Sequence, residues 1–178
     1  MHTASAFVAE CDVPAQSALD RRLLDTAYFR DSYCAAMSGK NDGVIEVFHA
    51  IFAHHPKWIQ MALIIRNRIA SLVGLEAPSA SEIMDSALKS SYAVGGKIGS
   101  WPIFALTESE VLAGRNNKHL DFRLSVLRLT EGSSASVVVS TVCVVHNVFG
   151  KVFLFFVIPF HKWGVRYLIA RAARAGRL

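Results

Sequence analysis

The chain has 178 residues, 52% of them hydrophobic and 19% charged; that suits one domain with a sizeable core and excludes a disordered tail and most multi-domain enzyme plans. Nineteen Lys and Arg against fourteen Asp and Glu give a net charge of +5, and the whole excess follows residue 161, where Lys162, Arg166, Arg171, Arg174 and Arg177 meet no acidic residue. A local excess of this kind argues against a nucleic-acid groove spread over the fold, and for a solvated helix end or a local anion contact.

Residues 1–30 show no clear period and read as a lead-in, with a short helix between Ala15 and Phe29 as one option. A strand is predicted over Asp31–Met37, closed by Ser38-Gly39-Lys40-Asn41. Asp42 suits the N-cap of a helix from Gly43 to Ala53. His54-His55-Pro56 ends it, because the residue before a proline is pushed out of the helical region. From Lys57 a second helix follows, with Trp58, Met61, Ala62, Ile65, Ile69 and Leu72 recurring at three- and four-residue spacing and Gly74 closing it. Leu75 to Ser100, with Pro78, Gly95, Gly96 and Gly99, reads as a connection with one helical turn near Ser81–Lys89. Strands are then predicted over Trp101–Thr107 and Glu110–Ala113, and a turn over Gly114–Lys118.

The next two strands are sharply specified. His119–Thr130 and Ala135–His146 flank a two-residue turn at Gly132-Ser133, and pairing Glu131 with Ser134 fixes the register. One face then carries Leu120/Val145, Phe122/Cys143, Leu124/Thr141 and Val126/Val139. The other carries His119/His146, Asp121/Val144, Arg123/Val142 and Ser125/Ser140. An apolar face and a mixed one predict an antiparallel sheet covered on a single side.

Beyond Gly150 the period becomes helical: Phe153, Phe156, Val157, Phe160, Gly164, Tyr167 and Leu168 form one stripe, with Pro159 offsetting the first turns. Lys162, Arg166, Arg174 and Arg177 group away from most of it. The predicted fold is α+β: a curved antiparallel sheet wrapped on a long C-terminal helix, with two short helices after the first strand. It forms a single domain over 31–178, after the lead-in. Val152–Ala170 approaches the length of a membrane span, but Pro159, His161, Lys162 and Arg166 oppose that reading.

Cys11, Cys34 and Cys143 are odd in number, with no C-x-x-C pair, which indicates neither a disulfide framework nor a cysteine zinc site. The acidic residues Glu10, Asp12 and Asp20 and the missing apolar run at the start do not make a secretory signal. A cytoplasmic location is expected.

Among polar candidates, His119, Asp121, Arg123 and His146 share the mixed face. They suit an acid/base pair or a two-His-one-carboxylate metal site, or else a plain solvated surface. His161 could turn a donor inward, or bond locally. His54 and His55 sit at a corner without an H-E-x-x-H pattern. Cys143 faces inward in this register, so its thiol is expected to stay protonated. Gly95-Gly96-x-x-Gly99 lacks the strand and helix of a phosphate loop. No metal or cofactor is expected. Phe153, Phe156, Phe160 and Tyr167, facing Phe122, Leu124, Thr141 and Cys143, would enclose a mostly apolar ligand site.

The element order is similar to the helix-grip plan of the START-like, polyketide-cyclase-like superfamily. Asp31-Ser32-Tyr33, Pro56-x-Trp58, Arg66-Asn67, Gly74-Leu75, Gly114 with His119-Leu120-Asp121-Phe122, His146-Asn147 and Pro159-Phe160-His161 further resemble a bacterial family known as domain of unknown function 2867. The resemblance implies a cavity between sheet and helix that takes a hydrophobic or amphipathic small molecule; the family supplies no catalytic residue to carry over. Three functional expectations stand side by side: a binder of such a molecule, a cyclase, dehydratase or hydrolase working in that cavity, and a peripheral membrane or protein-partner module using Lys162, Arg166, Arg174 and Arg177. Oligomeric state is left open.

Overall fold

The protein is described from a computed structural model covering residues 8–38, 43–54, 56–72 and 91–178. Its strands are β1 (Val8–Glu10), β2 (Phe29–Met37), β3 (Lys97–Ile98), β4 (Trp101–Leu106), β5 (Glu110–Asn116), β6 (Leu120–Glu131) and β7 (Ser134–Val145). Its helices are α1 (Arg21–Asp25), α2 (Val44–Phe52), α3 (Lys57–Leu72) and α4 (Val148–Arg174). The strands form one antiparallel sheet in the order β1-β2-β7-β6-β5-β4-β3. This is the expected α+β order of strand, two helices, antiparallel strands and long helix.

The β6–β7 hairpin has the predicted register, from Leu120 opposite Val145 to Glu131 opposite Ser134, with Gly132 supplying a φ of 58° at the turn. Burial of the inner face holds it there, since a one-residue slip would move every apolar side chain to the wrong side. That inner face packs Tyr33, Leu124, Val126 and Val139 against Val47 and Ile51 of α2 and Val165, Leu168 and Ile169 of α4.

Four expectations are corrected. The predicted turn at Gly114 is strand: β5 runs on to Asn116. Glycine is needed there because a Cβ would lie 2.1 Å from the Phe122 carbonyl oxygen of the neighbouring strand. The lead-in is part of the fold, since β1 pairs with β2 and Asp20 caps α1 by accepting from the Arg22 N–H at 2.8 Å. The mixed face of the hairpin is covered rather than solvated: Leu19 packs on Leu112 and Val142 of the sheet, with Val13, Leu23, Leu24 and Ala27 around them. Several of its polar groups bond internally, while His119 Nε2 is buried without a partner among the described residues. The Ser32 hydroxyl donates to Ser140 at 2.8 Å, and the buried Glu110 carboxylate accepts from Ser17, Ser125 and the Ala18 N–H. Arg123 lies 3.6 Å from the Phe104 ring centroid.

The fourth correction is the rotation of the helices. α4 continues through Pro159 and turns Leu154, Val165, Leu168, Ile169 and Ala172 inward, whereas Phe156 and Phe160 point to solvent. The first half of α4 is apolar all round, so periodicity leaves its phase open. Docking decides it: Gly150 sits so close to β6 that a Cβ would lie 2.3 Å from the His119 carbonyl oxygen. On α3 the same thing happens. Ile59, Asn67 and Ala70 are buried, while Trp58, Met61, Ala62 and Ile65 face outward. Gly43 occupies the N-cap of α2; Asp42, expected there, lies outside the described residues, as do His55, Gly74, the loop residue Pro78 and the helical turn predicted at 81–89.

Candidate functional site

Alternation along β2 sends Phe29, Asp31 and Tyr33 to the inner face, opposite Cys143, Thr141 and Val139 of β7. Asp31 thus brings a carboxylate into an otherwise apolar surface, and its side chain is only 1% exposed. Above it, α4 presents His161. The His161 Nε2 lies 3.4 Å from Asp31 Oδ1 and 3.1 Å from the Thr141 hydroxyl, and the Phe29 ring meets the imidazole edge-on at 5.7 Å between centroids. No hydrogen bond reaches the buried Asp31 Oδ2. A buried polar atom without a partner costs about 1–3 kcal/mol.

The neighbours feel this carboxylate. Burial, and then Asp31, push the Cys143 thiol up to about 12, against a smaller opposing effect of Arg66. Burial and Asp31 also raise the Tyr33 phenol above its ordinary range. Cys143 is therefore a thiol at neutral pH and no nucleophile, as its inward placement led us to expect. Arg66 of α3 donates through Nε and Nη2 to its neighbour Asn67 at 3.1 and 2.7 Å. Burial, and then the like charge of Arg115, lower its pKa. Arg115 faces the same side opposite Phe122 and donates to the Ser100 carbonyl at 3.1 Å. Among the described residues, no carboxylate lies within ion-pair distance of either guanidinium.

The cluster can take a donor from a bound molecule on Asp31 Oδ2, and His161, hydrogen-bonded to the Thr141 hydroxyl, can pass a proton between that molecule and Asp31. Among the described residues, no three His, Cys, Asp or Glu side chains are grouped as metal ligands.

Of the residues expected to line a ligand site, Leu124, Thr141 and Cys143 are buried on the inner face, with Phe122 partly buried beside them. Phe153 is partly buried against Leu154 and Leu120, and Tyr167 stacks on Trp163 at 5.6 Å. Phe156 and Phe160, 63% and 75% exposed, do not line that face. Of His119, Asp121 and His146, the structure pairs the last two and turns His119 elsewhere. His119 Nδ1 donates to Asn147 Oδ1 at 3.0 Å; that oxygen also accepts from the Gly150 N–H, so this imidazole braces the start of α4. Asp121 and His146 form a rim pair at 3.2 Å. Arg177, grouped by the sequence with the residues expected to meet a membrane or partner, donates to the Ala50 carbonyl at 3.3 Å. Lys162, Arg166 and Arg174 are exposed.

Asp31, Arg66 and Arg115 were not among the expected site residues. The signal for Asp31 was present in the alternation Phe29, Asp31, Tyr33, Ala35, Met37, which sets an acid on an apolar strand face. Arg66 and Asn67 sit in a helix whose visible stripe faces elsewhere, so only the fold points them inward.

A profile of the family described as protein of unknown function DUF2867 matches residues 23–168. No curated protein and no solved structure matches the chain.

Proposed function

The chain belongs to the DUF2867 family, and on that premise we propose that it binds an amphipathic small molecule between the sheet and α4, with the polar end of that molecule on Asp31. One observation carries this reading: a buried carboxylate with an unpartnered oxygen, Asp31 Oδ2, set beside Thr141 and His161 in an apolar interior. Buried polar groups are as a rule satisfied, and the Glu110 carboxylate on the opposite face shows how this chain satisfies one it uses structurally; His119 Nε2 is also buried without a partner among the described residues, but its imidazole is already tied through Nδ1 to Asn147. A hydroxyl or N–H on the ligand would complete Asp31. The resemblance to START-like helix-grip proteins, which usually hold apolar ligands in this position, supports the same reading.

Native mass spectrometry of the protein purified without denaturant tests it. A discrete co-purifying mass, weakened in Asp31→Asn, is the expected result. A spectrum free of bound mass, together with no thermal shift on adding a panel of hydroxylated amphiphiles, would overturn it.

A second reading has its own observation. His161 within reach of both Asp31 and Thr141 makes an acid/base pair, as a cyclase, dehydratase or hydrolase acting on the bound molecule would need. Here the species recovered from His161→Ala should differ in composition from that recovered from the parent protein. Identical species would leave the chain a binder.

A further inference from the structure

Apolar stripes on α3 and α4 face away from the core. On α4, Phe149, Phe156, Phe160 and Trp163 are exposed, and on α3 so are Trp58 and Ile65. The two stripes are continuous, because the Trp58 and Trp163 rings meet at 4.7 Å between centroids. Monomeric soluble proteins rarely leave an apolar surface of this kind uncovered. The two helices that form it carry one sign of charge. Leaving aside Arg66, which turns inward, α3 and α4 carry Lys57, Arg68, Lys151, Lys162, Arg166, Arg171 and Arg174 and not one Asp or Glu. At about 100° per residue, Arg166 and Lys162 lie about 60° and about 100° from Trp163 on one side of the α4 stripe, and both are exposed.

We propose that this face of α3 and α4 docks on an anionic lipid bilayer, with the aromatic side chains entering the headgroup region and the flanking lysines and arginines meeting lipid phosphates. The charge pattern selects the occupant. Two copies of the chain joined through this face would bring like-charged helices together, whereas an anionic bilayer complements them and gives the tryptophans the half-wet interface they favour. α4 is 27 residues long and apolar enough to cross a membrane by length and composition. Crossing, however, would place Lys162 and Arg166 in hydrocarbon and strip Leu154, Val165 and Ile169 from the sheet, so the helix lies along the surface. This differs from the attachment expected from the basic C-terminal segment alone: aromatic residues do the inserting, and Arg177 takes no part.

Flotation of the full chain with vesicles of phosphatidylcholine, alone or mixed with phosphatidylglycerol, tests the inference. Binding to the mixed vesicles at low ionic strength is expected, with a blue shift of tryptophan emission and at least a tenfold loss in 0.5 M NaCl or in Lys162→Glu/Arg166→Glu. Phe156→Ser/Phe160→Ser should lose as much while keeping the circular dichroism of the parent, since both rings are solvent-facing. Asp31→Asn should still bind vesicles, which separates this surface from the interior site. Absence of binding at low salt, equal binding to neutral vesicles, indifference to these substitutions, or a dimer in sedimentation that Phe156→Ser/Phe160→Ser dissolves would each overturn the proposal, the last in favour of a second copy.

Discussion

The two buried carboxylates should respond oppositely to neutralisation. Glu110 accepts three hydrogen bonds, from Ser17 at 2.6 Å, from the Ala18 N–H at 2.6 Å and from Ser125. A hydrogen bond to a charged group contributes about 1.5–3 kcal/mol, and an amide in place of the carboxylate turns a donor toward one of these donors; Glu110→Gln should therefore cost about 2–3 kcal/mol. Asp31 makes a long contact, 3.4 Å to His161, interacts with the Tyr33 phenol, and leaves Oδ2 unpartnered. These contacts contribute about 1–2 kcal/mol, while an amide, which still leaves one polar atom unpartnered, removes a buried charge whose desolvation costs several kcal/mol, so Asp31→Asn should leave the ligand-free protein unchanged or stabilise it by up to about 2 kcal/mol. Urea unfolding followed by circular dichroism at pH 7.5, on protein freed of bound molecules, measures both. If Asp31→Asn destabilised the fold by as much as Glu110→Gln, Asp31 would be a structural residue and the argument for a ligand on its oxygen would fall.

Three further outcomes follow from the same geometry. The folded Cys143 thiol titrates near 12 against an unfolded value of 9.0, so the unfolded chain ionises first; stability present below pH 9 should fall by about 1.4 kcal/mol per pH unit above it. Urea melts at pH 8 and 10.5 should show a larger fall in the parent than in Cys143→Ala, in which Cys11 and Tyr33, also raised by burial, still contribute. His49 behaves in the opposite sense: burial lowers its pKa below 6.5, the unfolded state takes up the proton first, and stability should fall on acidification below about pH 6.5, less so in His49→Gln. Gly150→Ala places a Cβ 2.3 Å from the His119 carbonyl oxygen and 2.9 Å from Val145, and should cost about 2 kcal/mol, read as a lowered urea midpoint.

Strand content was legible because the hairpin is covered on its inner face, so the alternation Leu120, Phe122, Leu124, Val126 fixed its register. The end of β5 was misread for a contrary reason: Gly114 signals a turn locally, but here it serves a close approach to Phe122 that exists only once β5 and β6 pair. The helices were legible in position and not in rotation. Trp58, Met61 and Ile65 on α3, and Phe156 and Phe160 on α4, repeat with the period of a buried stripe, yet each is exposed. Periodicity shows that a helix has an apolar stripe and does not say what covers it.

The candidate site divides along the same line. The inward positions of Thr141 and Cys143 followed from pairing numbers alone, and that of Asp31 was implicit in the alternation of β2. What brought Asp31, Thr141 and His161 together was tertiary: 130 residues separate Asp31 from His161, and their contact depends on how far α4 is rotated about its axis. The chain by itself determined its elements, their order and the faces of its strands, because these rest on local propensity and a period of two. Only the folded structure decided which side of α3 and α4 meets the sheet: the first half of α4 is apolar nearly all round, so its rotation is set by the close approach of Gly150 to β6 and not by hydrophobicity, and the apolar stripe of α3 is turned outward.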